Sequence, residues 1–120
     1  MNDITIYHNP RCSKSRDTLA IVETLAAERG ATLAVVEYLK TPPTLAQLQE
    51  LQRQLGLPAK DMVRDGEEEF AALGLAGADD ARLLEAVAEH PKLLQRPIVA
   101  WRGRAAIGRP PENVKALFSD

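Results

Sequence analysis

The sequence contains a single cysteine, Cys12, within the polar and cationic segment His8–Ser15. A short apolar run precedes this segment and a helical pattern follows it, so Cys12 lies where a helix begins. Unpaired backbone N–H groups at a helix start favour an anion, and nearby cations lower the pKa of a thiol. A buried, inert cysteine would have apolar neighbours, whereas Arg11 and Lys14 flank this one. The pattern therefore predicts a thiolate that acts as a nucleophile near neutral pH.

The spacing around Cys12 excludes several familiar kinds of thiol chemistry. A dithiol redox motif needs a second cysteine three positions on, where Ser15 stands, and a phosphatase-type loop needs an arginine where Thr18 stands. A cysteine protease would have only His8 and His90 to choose from as its base. One cysteine also excludes an intramolecular disulfide and an all-cysteine metal site, so we expect no metal and a reducing, cytoplasmic setting. The serine hydroxyls beside the thiol could donate to the sulfur or cap the helix.

Three distant arginines complete the set of candidate residues. Arg64 ends a short helical pattern, Arg96 precedes a predicted strand, and Arg109 follows the next strand. Binding sites of α/β proteins assemble at strand ends, and a guanidinium matches the oxygens of an oxyanion. The spacing of these three arginines leaves open the alternative that they are surface side chains with buried stems.

Length and composition limit the kinds of protein that could hold these residues. The chain has 120 residues, 45% of them hydrophobic and 27% charged, which is typical of one globular domain spanning residues 1–120. The net charge of -2 removes the electrostatic case for a nucleic-acid or membrane-surface partner. No apolar run reaches the roughly 20 residues that a membrane span requires.

The hydrophobic pattern predicts the elements that position the candidate residues. A buried strand at Ile4–Tyr7, a helix at Ser13–Arg29 and a strand at Thr32–Tyr38 form a βαβ unit with parallel strands. On the helix, Thr18, Ile21, Val22 and Leu25 are predicted to form the buried face. A helical stretch then runs from about residue 42 to 92, beginning at the capping box of Thr44 and Gln47 and including pieces at 61–64, 67–73 and 79–89.

The chain ends in a second pair of strands and a short helix. Residues 97–101 and 104–107 flank Arg102 and Gly103, a two-residue link typical of a hairpin. Pro110 and Pro111 then open a terminal helix whose predicted apolar side is Val114, Leu117 and Phe118. Trp101 and Phe118 are expected in core or hairpin packing rather than at an interface. The order predicts an α/β domain with a small mixed sheet covered by helices.

Four ordered motifs of this chain resemble the glutaredoxin-linked arsenate reductase family, in particular its short bacterial members. They are His8-Asn9-Pro10-Arg11-Cys12-Ser13-Lys14-Ser15, Tyr38-Leu39-Lys40-Thr41-Pro42-Pro43, Arg96-Pro97-Ile98-Val99 and Ile107-Gly108-Arg109-Pro110-Pro111-Glu112. The resemblance implies a thioredoxin-like fold, with a mixed four-stranded sheet of order βαβ…ββα and a helical insertion at about 42–92. It also implies that the Arg96–Pro97 peptide bond is cis, which is uncommon for X–Pro bonds in general.

The resemblance also implies a reaction and the residues that carry it. Cys12 would attack arsenate, while Arg64, Arg96 and Arg109 hold the oxyanion. His8 and Ser15 would lower the pKa of the thiol. Glutathione would be the co-substrate that resolves the adduct, and a glutaredoxin would supply the second exchange and free arsenite. We expect no bound cofactor and a monomer.

Two alternatives remain open within the same family. One is a glutathione-dependent thiol reductase that acts on mixed disulfides, for which a Cys-x-x-Ser motif would suffice. The other is a regulatory module that docks a protein partner, as the Spx-type regulators of this family do with RNA polymerase. Those regulators typically carry the second cysteine that Ser15 replaces here.

Overall fold

The computed structural model describes residues 3–118, which contain four strands, four α-helices and three 3₁₀ helices. The strands are β1 (Asp3–His8), β2 (Thr32–Glu37), β3 (Ile98–Trp101) and β4 (Arg104–Ile107). The helices are α1 (Ser13–Arg29), α2 (Leu45–Leu55), α3 (Glu68–Ala72) and α4 (Asp80–Glu89), with 3₁₀ helices at Ala59–Met62, Pro91–Leu93 and Pro111–Phe118. These residues form two compact units, one made of residues 3–41 and 96–118 and the other of Pro42–Gln95.

The first unit holds the mixed four-stranded sheet that the sequence predicted. Its strand order is β2-β1-β3-β4, with β1 parallel to β2 and both other pairs antiparallel. Helix α1 connects the two parallel strands, whose register places His8 opposite Glu37. The carboxyl ends of β1 and β2 therefore lie side by side at one edge of the sheet. The prediction of a thioredoxin-like sheet is confirmed.

The core of the first unit lies between one face of the sheet, α1 and the C-terminal 3₁₀ helix. Ile4 and Ile6 alternate inward from β1 and are fully buried. Trp101 of β3 stacks on Phe118 with ring centroids 4.6 Å apart, which confirms that both rings are core residues. The C-terminal segment is a 3₁₀ helix, and its predicted apolar side is buried as expected.

The buried face of α1 differs in part from the prediction. Thr18 and Val22 are buried as expected, but Ser15 and Ala26 complete the stripe, while Ile21 and Leu25 are only partly buried. The residues at the centre of the contact are small, and small side chains let a helix lie close to the layer beneath it. Apolar periodicity alone does not identify a buried serine.

The second unit begins with the predicted capping box. The Thr44 hydroxyl accepts from the backbone N–H of Gln47, and the Gln47 side chain accepts from the Thr44 N–H. Helix α2 then buries Leu48 and Leu51, and α4 buries a four-residue apolar face. Across residues 3–118, no helix is both long enough and apolar enough to cross a membrane.

The helical piece predicted at residues 61–64 is confirmed only for its first two residues and is wrong for Val63 and Arg64. A 3₁₀ helix ends at Met62, and Val63 is extended, with φ -118° and ψ 137°. Val63 forms an antiparallel bridge with Leu94, and the backbone N–H of Arg64 donates to the carbonyl of Leu93 at 2.7 Å. Arg64 is thus held in an extended segment because a non-local backbone pairing outweighs the local helical pattern.

Candidate active site

The turn that follows β1 presents Cys12 at the start of α1. Cys12 is the N-cap residue of the helix, with φ -96° and ψ 124°, and its side chain is partly buried. Its backbone N–H donates to the carbonyl of Asn9 at 3.0 Å, and the side-chain oxygen of Asn9 accepts from the N–H of Arg11 at 3.0 Å. The first turn of α1 contains no acidic residue. The sulfur therefore faces the positive end of a 17-residue helix.

The groups around the sulfur favour its anionic form. Burial on its own would raise the pKa of Cys12, but the backbone N–H of Ser15 donates to the sulfur, Arg96 contributes both a hydrogen bond and its charge, and the N–H of Lys14 donates as well. Together these donors hold the pKa of the thiol below its ordinary value. The structure thus favours the reactive thiolate that the sequence pattern indicated.

Arg109 reaches the same sulfur from the end of β4. Its Nη2 atom lies 3.9 Å from the Cys12 Sγ, a long contact for a hydrogen bond to sulfur, while its Nε donates to the carbonyl oxygen of Arg96 at 2.7 Å. The β3–β4 pairing brings the two arginines together, because one precedes β3 and the other follows β4. Two of the three predicted arginines therefore meet at the thiol.

His8 and Ser15 form a buried pair beneath the turn. Nδ1 of His8 lies 3.2 Å from the Ser15 hydroxyl, which also accepts from the N–H of Asn9 at 3.0 Å. Burial lowers the pKa of His8, the charge of Glu37 opposes that shift, and Arg16 reinforces it. The imidazole is accordingly neutral near pH 7, and the pair holds the turn in place. The effect of these two side chains on the pKa of Cys12 stays a prediction.

Arg64 lies in the second unit, between an acidic and an amide side chain. Its Nε is 3.5 Å from a carboxylate oxygen of Glu67, and its Nη1 donates to the side-chain oxygen of Gln95 at 3.4 Å. The Arg64 side chain is largely buried, with 23% of it exposed. Its expected role as an oxyanion ligand stays a prediction.

Two features of the site were not predicted from the sequence. Asn9 closes the turn through both its backbone and its side chain, and only the Asn-Pro dipeptide gives a local signal for such a turn. Gly108 packs so closely that a Cβ there would lie 2.6 Å from Thr18 Oγ1 and 2.9 Å from Pro97 Cγ. No sequence pattern marks this contact, because it joins α1 to two loops that are distant in the chain.

The prolines next to Arg96 and Arg109 both follow cis peptide bonds. The cis Arg96–Pro97 bond confirms the prediction, and the cis Arg109–Pro110 bond is a second one that was not predicted.

The arrangement suits nucleophilic attack on a tetrahedral oxyanion. A thiol whose pKa is lowered lies beside two guanidinium groups and the N–H groups of a helix start, and all of these donors favour negative charge on the sulfur. Such a site can attract an anion to the sulfur and stabilise the charge that develops on its oxygens during attack.

Comparison with known proteins gives a consistent result. A sequence model described as the ArsC family matches residues 7–117. The chain is 48% identical over 121 residues to a protein of Neisseria meningitidis serogroup A named arsenate reductase, covering 98% of this chain and 100% of the relative. It is 40% identical over 118 residues to an arsenate reductase of Haemophilus influenzae, covering 96% and 98% of the two chains.

A solved structure of an arsenate reductase from Vibrio cholerae has the same fold. It superposes with a TM-score of 0.85 at 45% sequence identity and covers 95% of this chain and 96% of its own.

Proposed function

The chain belongs to the ArsC family, and on that premise we propose that it is an arsenate reductase that reduces arsenate to arsenite through an adduct on Cys12. One observation in the structure supports this proposal most directly. A thiol of lowered pKa lies against Arg96 and Arg109, which is the combination that attack on an oxyanion requires. The cytoplasm, whose glutathione pool keeps a lone thiol reduced, is its site of action, and it acts as a monomer.

Arsenate binds beside the sulfur through the guanidinium groups of Arg96 and Arg109. Planar guanidinium groups match pairs of arsenate oxygens, and each contact is charge-assisted. Arg64 is a third oxyanion ligand by resemblance to the family motif. The same contacts that lower the pKa of Cys12 also offset the repulsion between a thiolate and an approaching anion.

The first chemical step forms a bond between sulfur and arsenic. The Cys12 thiolate attacks arsenic, one As–O bond breaks, and the oxygen leaves as water after protonation. Arsenic remains As(V) in this adduct, and no electrons have yet been transferred to it. The chain has no second cysteine to continue the reaction, so the resolving thiol must come from another molecule.

Glutathione supplies that thiol and a glutaredoxin completes the reduction. Glutathione adds to arsenic with loss of a second water, which leaves arsenic bonded to two sulfur atoms. A glutaredoxin thiolate attacks the glutathione sulfur, and the electron pair of its bond to arsenic stays on arsenic. As(V) becomes As(III), the glutaredoxin and glutathione sulfurs become a mixed disulfide, and hydrolysis of the remaining bond between Cys12 and arsenic frees arsenite and the Cys12 thiol.

The test is arsenate reduction by the purified protein with glutathione and a glutaredoxin. Cys12→Ser should abolish turnover while circular dichroism and the unfolding curve stay close to those of the parent. Substantial arsenate reduction by that variant would overturn the proposal. A glutathione mixed disulfide is assayed in parallel, because turnover of that substrate without arsenate reduction would indicate a thiol reductase instead.

The oxyanion ligands are tested by replacing the planar guanidinium groups. Arg96→Lys keeps the charge but cannot reproduce the paired contacts, so the KM for arsenate should rise, by roughly tenfold for one charge-assisted contact. Arg64→Lys tests the third ligand in the same way. The exposed Arg53→Lys is the matched control, and an arsenate KM unchanged in Arg96→Lys would exclude that residue as a ligand.

A further inference from the structure

A surface cavity of about 220 Å³ opens beside the turn that carries Cys12. Residues 8–11 form one wall, and Glu37, Leu39 and Lys40 form the other. It lies at the carboxyl ends of the parallel strands β1 and β2, where His8 is in register with Glu37. Ligands of α/β sheets commonly bind outside the carboxyl ends of parallel strands. None of the steps proposed above uses this cavity.

The charged side chains around the cavity match a particular kind of ligand. Arg11 and Lys40 provide two cations, and Glu37 provides one anion. Leu39, which is 45% exposed, adds an apolar surface. Glutathione at neutral pH has two carboxylates, one ammonium group and a short apolar cysteinyl stem. Each of its charges thus has a counterpart of opposite sign on the cavity wall.

We infer that this cavity binds glutathione and delivers its thiol to the adduct on Cys12. The inference rests on the proposed function in taking glutathione as the resolving thiol. Arg11 and Lys40 bind the two carboxylates, and Glu37 binds the ammonium group. The cavity thereby makes the reaction selective for a γ-glutamyl tripeptide over other small thiols.

The distances along the chain allow this arrangement. Arg11 precedes Cys12 directly, so their Cα atoms are about 3.8 Å apart. An extended α-linked tripeptide spans about 10 Å, and the γ-glutamyl linkage makes glutathione somewhat longer. The thiol at the centre of glutathione can therefore approach the active-site sulfur while its charged ends remain in contact with the cavity wall.

Lys40 and Glu37 can give up their ion pair with each other at little cost in stability. Lys40 Nζ lies 3.4 Å from a Glu37 carboxylate oxygen, but the two side chains are 79% and 40% exposed. An exposed ion pair of this kind contributes little stability. A ligand that offers a carboxylate to Lys40 and an ammonium group to Glu37 replaces the ion pair between these residues by two ion pairs with the ligand.

The inference is tested by binding rather than by turnover. The ¹⁵N-labelled protein is titrated with S-methylglutathione, which cannot react, in the absence of arsenate and glutaredoxin. The amide signals of Arg11, Leu39 and Lys40 should shift and saturate together. Lys40→Ala and Arg11→Ala should each raise the Kd by about fivefold, the upper range for an exposed charge pair. Lys115→Ala removes an exposed cation outside the cavity and should leave the Kd unchanged.

Esterifying one carboxylate of S-methylglutathione tests which residue binds that carboxylate. The ethyl ester of the glycine carboxylate should bind the parent protein about fivefold more weakly than the free acid. This difference should disappear in the variant, Lys40→Ala or Arg11→Ala, that lacks the cation bound to the glycine carboxylate. Shifts that cluster away from the cavity, or a Kd that neither Lys40→Ala nor Arg11→Ala changes, would overturn the inference. Those results would leave the proposed arsenate reductase activity untouched. Binding of S-methylglutathione at the cavity without arsenate reduction by the protein would overturn the proposed function alone.

Discussion

Replacing Gly108 by alanine is expected to lower both the stability of the protein and the reactivity of Cys12. A Cβ at this position would lie 2.6 Å from Oγ1 of Thr18, 3.0 Å from its Cγ2 and 2.9 Å from Cγ of Pro97. Ordinary contacts between such atoms lie at about 3.5–4.0 Å. The new methyl group therefore requires its neighbours to move by up to about 1 Å.

The neighbours of Gly108 have little freedom to make that movement. Thr18 is fully buried, and its hydroxyl donates to the carbonyl of Lys14 at 2.8 Å, so rotating the side chain would break a hydrogen bond. The backbone N–H of Gly108 also donates to the carbonyl of Pro97 at 2.9 Å. Overpacking at a site of this kind costs about 1–3 kcal/mol. A loss of about 2 kcal/mol in a 120-residue chain corresponds to a Tm about 8 °C lower.

The strain should also reach the active site. Arg109 follows Gly108, and its Nε donates to the carbonyl of Arg96. Displacing this loop is therefore expected to move both guanidinium groups away from the sulfur. The rate at which iodoacetamide alkylates Cys12 at neutral pH should therefore fall. A lower arsenate reductase activity should accompany that change.

Urea unfolding of Gly108→Ala and of a matched glycine variant measures the effect. A Cβ added at Gly66 would meet no atom within 4 Å, so Gly66→Ala should change the unfolding free energy by less than about 0.5 kcal/mol. Thr18→Ala removes two of the three close contacts, and the double variant should recover about 1 kcal/mol relative to the sum of the singles. The reasoning is refuted if Gly108→Ala is as stable as Gly66→Ala and shows no coupling to Thr18.

Three further predictions follow from the described contacts. Arg96→Gln removes a charge that stabilises the thiolate, so the pH profile of Cys12 alkylation should move to higher pH; an unchanged profile would exclude the contact. Burial lowers the pKa of His8, so the unfolded chain binds more protons; the resulting stability is complete above about pH 6.5 and is lost as pH falls. Urea unfolding of His8→Gln should therefore show a weaker decline from pH 7 to 5, and an equal decline would contradict this. Thr44→Ala removes a helix cap and should cost about 1 kcal/mol in urea unfolding, with the mid-helix Thr24→Ala as a near-neutral control; equal losses would argue against the cap.

Much of the fold was predictable because its signals are local. The bounds of α1 match the prediction, since Gly30 ends it in the left-handed conformation with φ 62°. The hairpin was predicted for a similar reason, because Arg102 and Gly103 both adopt positive φ in its two-residue link. The helix predicted at 61–64 ends at Met62 instead, because Val63 pairs with Leu94 and no local pattern contains that pairing.

The candidate site was predictable only in part. The position of Cys12 follows from the strand before it and the helix after it, and both can be read locally. The buried partnership of His8 with Ser15 does not follow from the sequence, because a serine on the buried face of a helix resembles a solvent-facing one. The resemblance to a known family predicted that the three arginines bind the oxyanion, whereas their spacing alone did not decide between ligands and surface side chains.

The sequence by itself identified the candidate nucleophile, the single cysteine of the chain and the elements around it. These depend on residue identity and on interactions within a few residues, which a linear pattern contains. Only the tertiary structure decided that Arg109, 97 residues from Cys12, contacts its sulfur and braces Arg96. That meeting depends on the antiparallel pairing of β3 with both β1 and β4. Such pairing is a property of the whole sheet, because distant segments become neighbours only once the chain has folded.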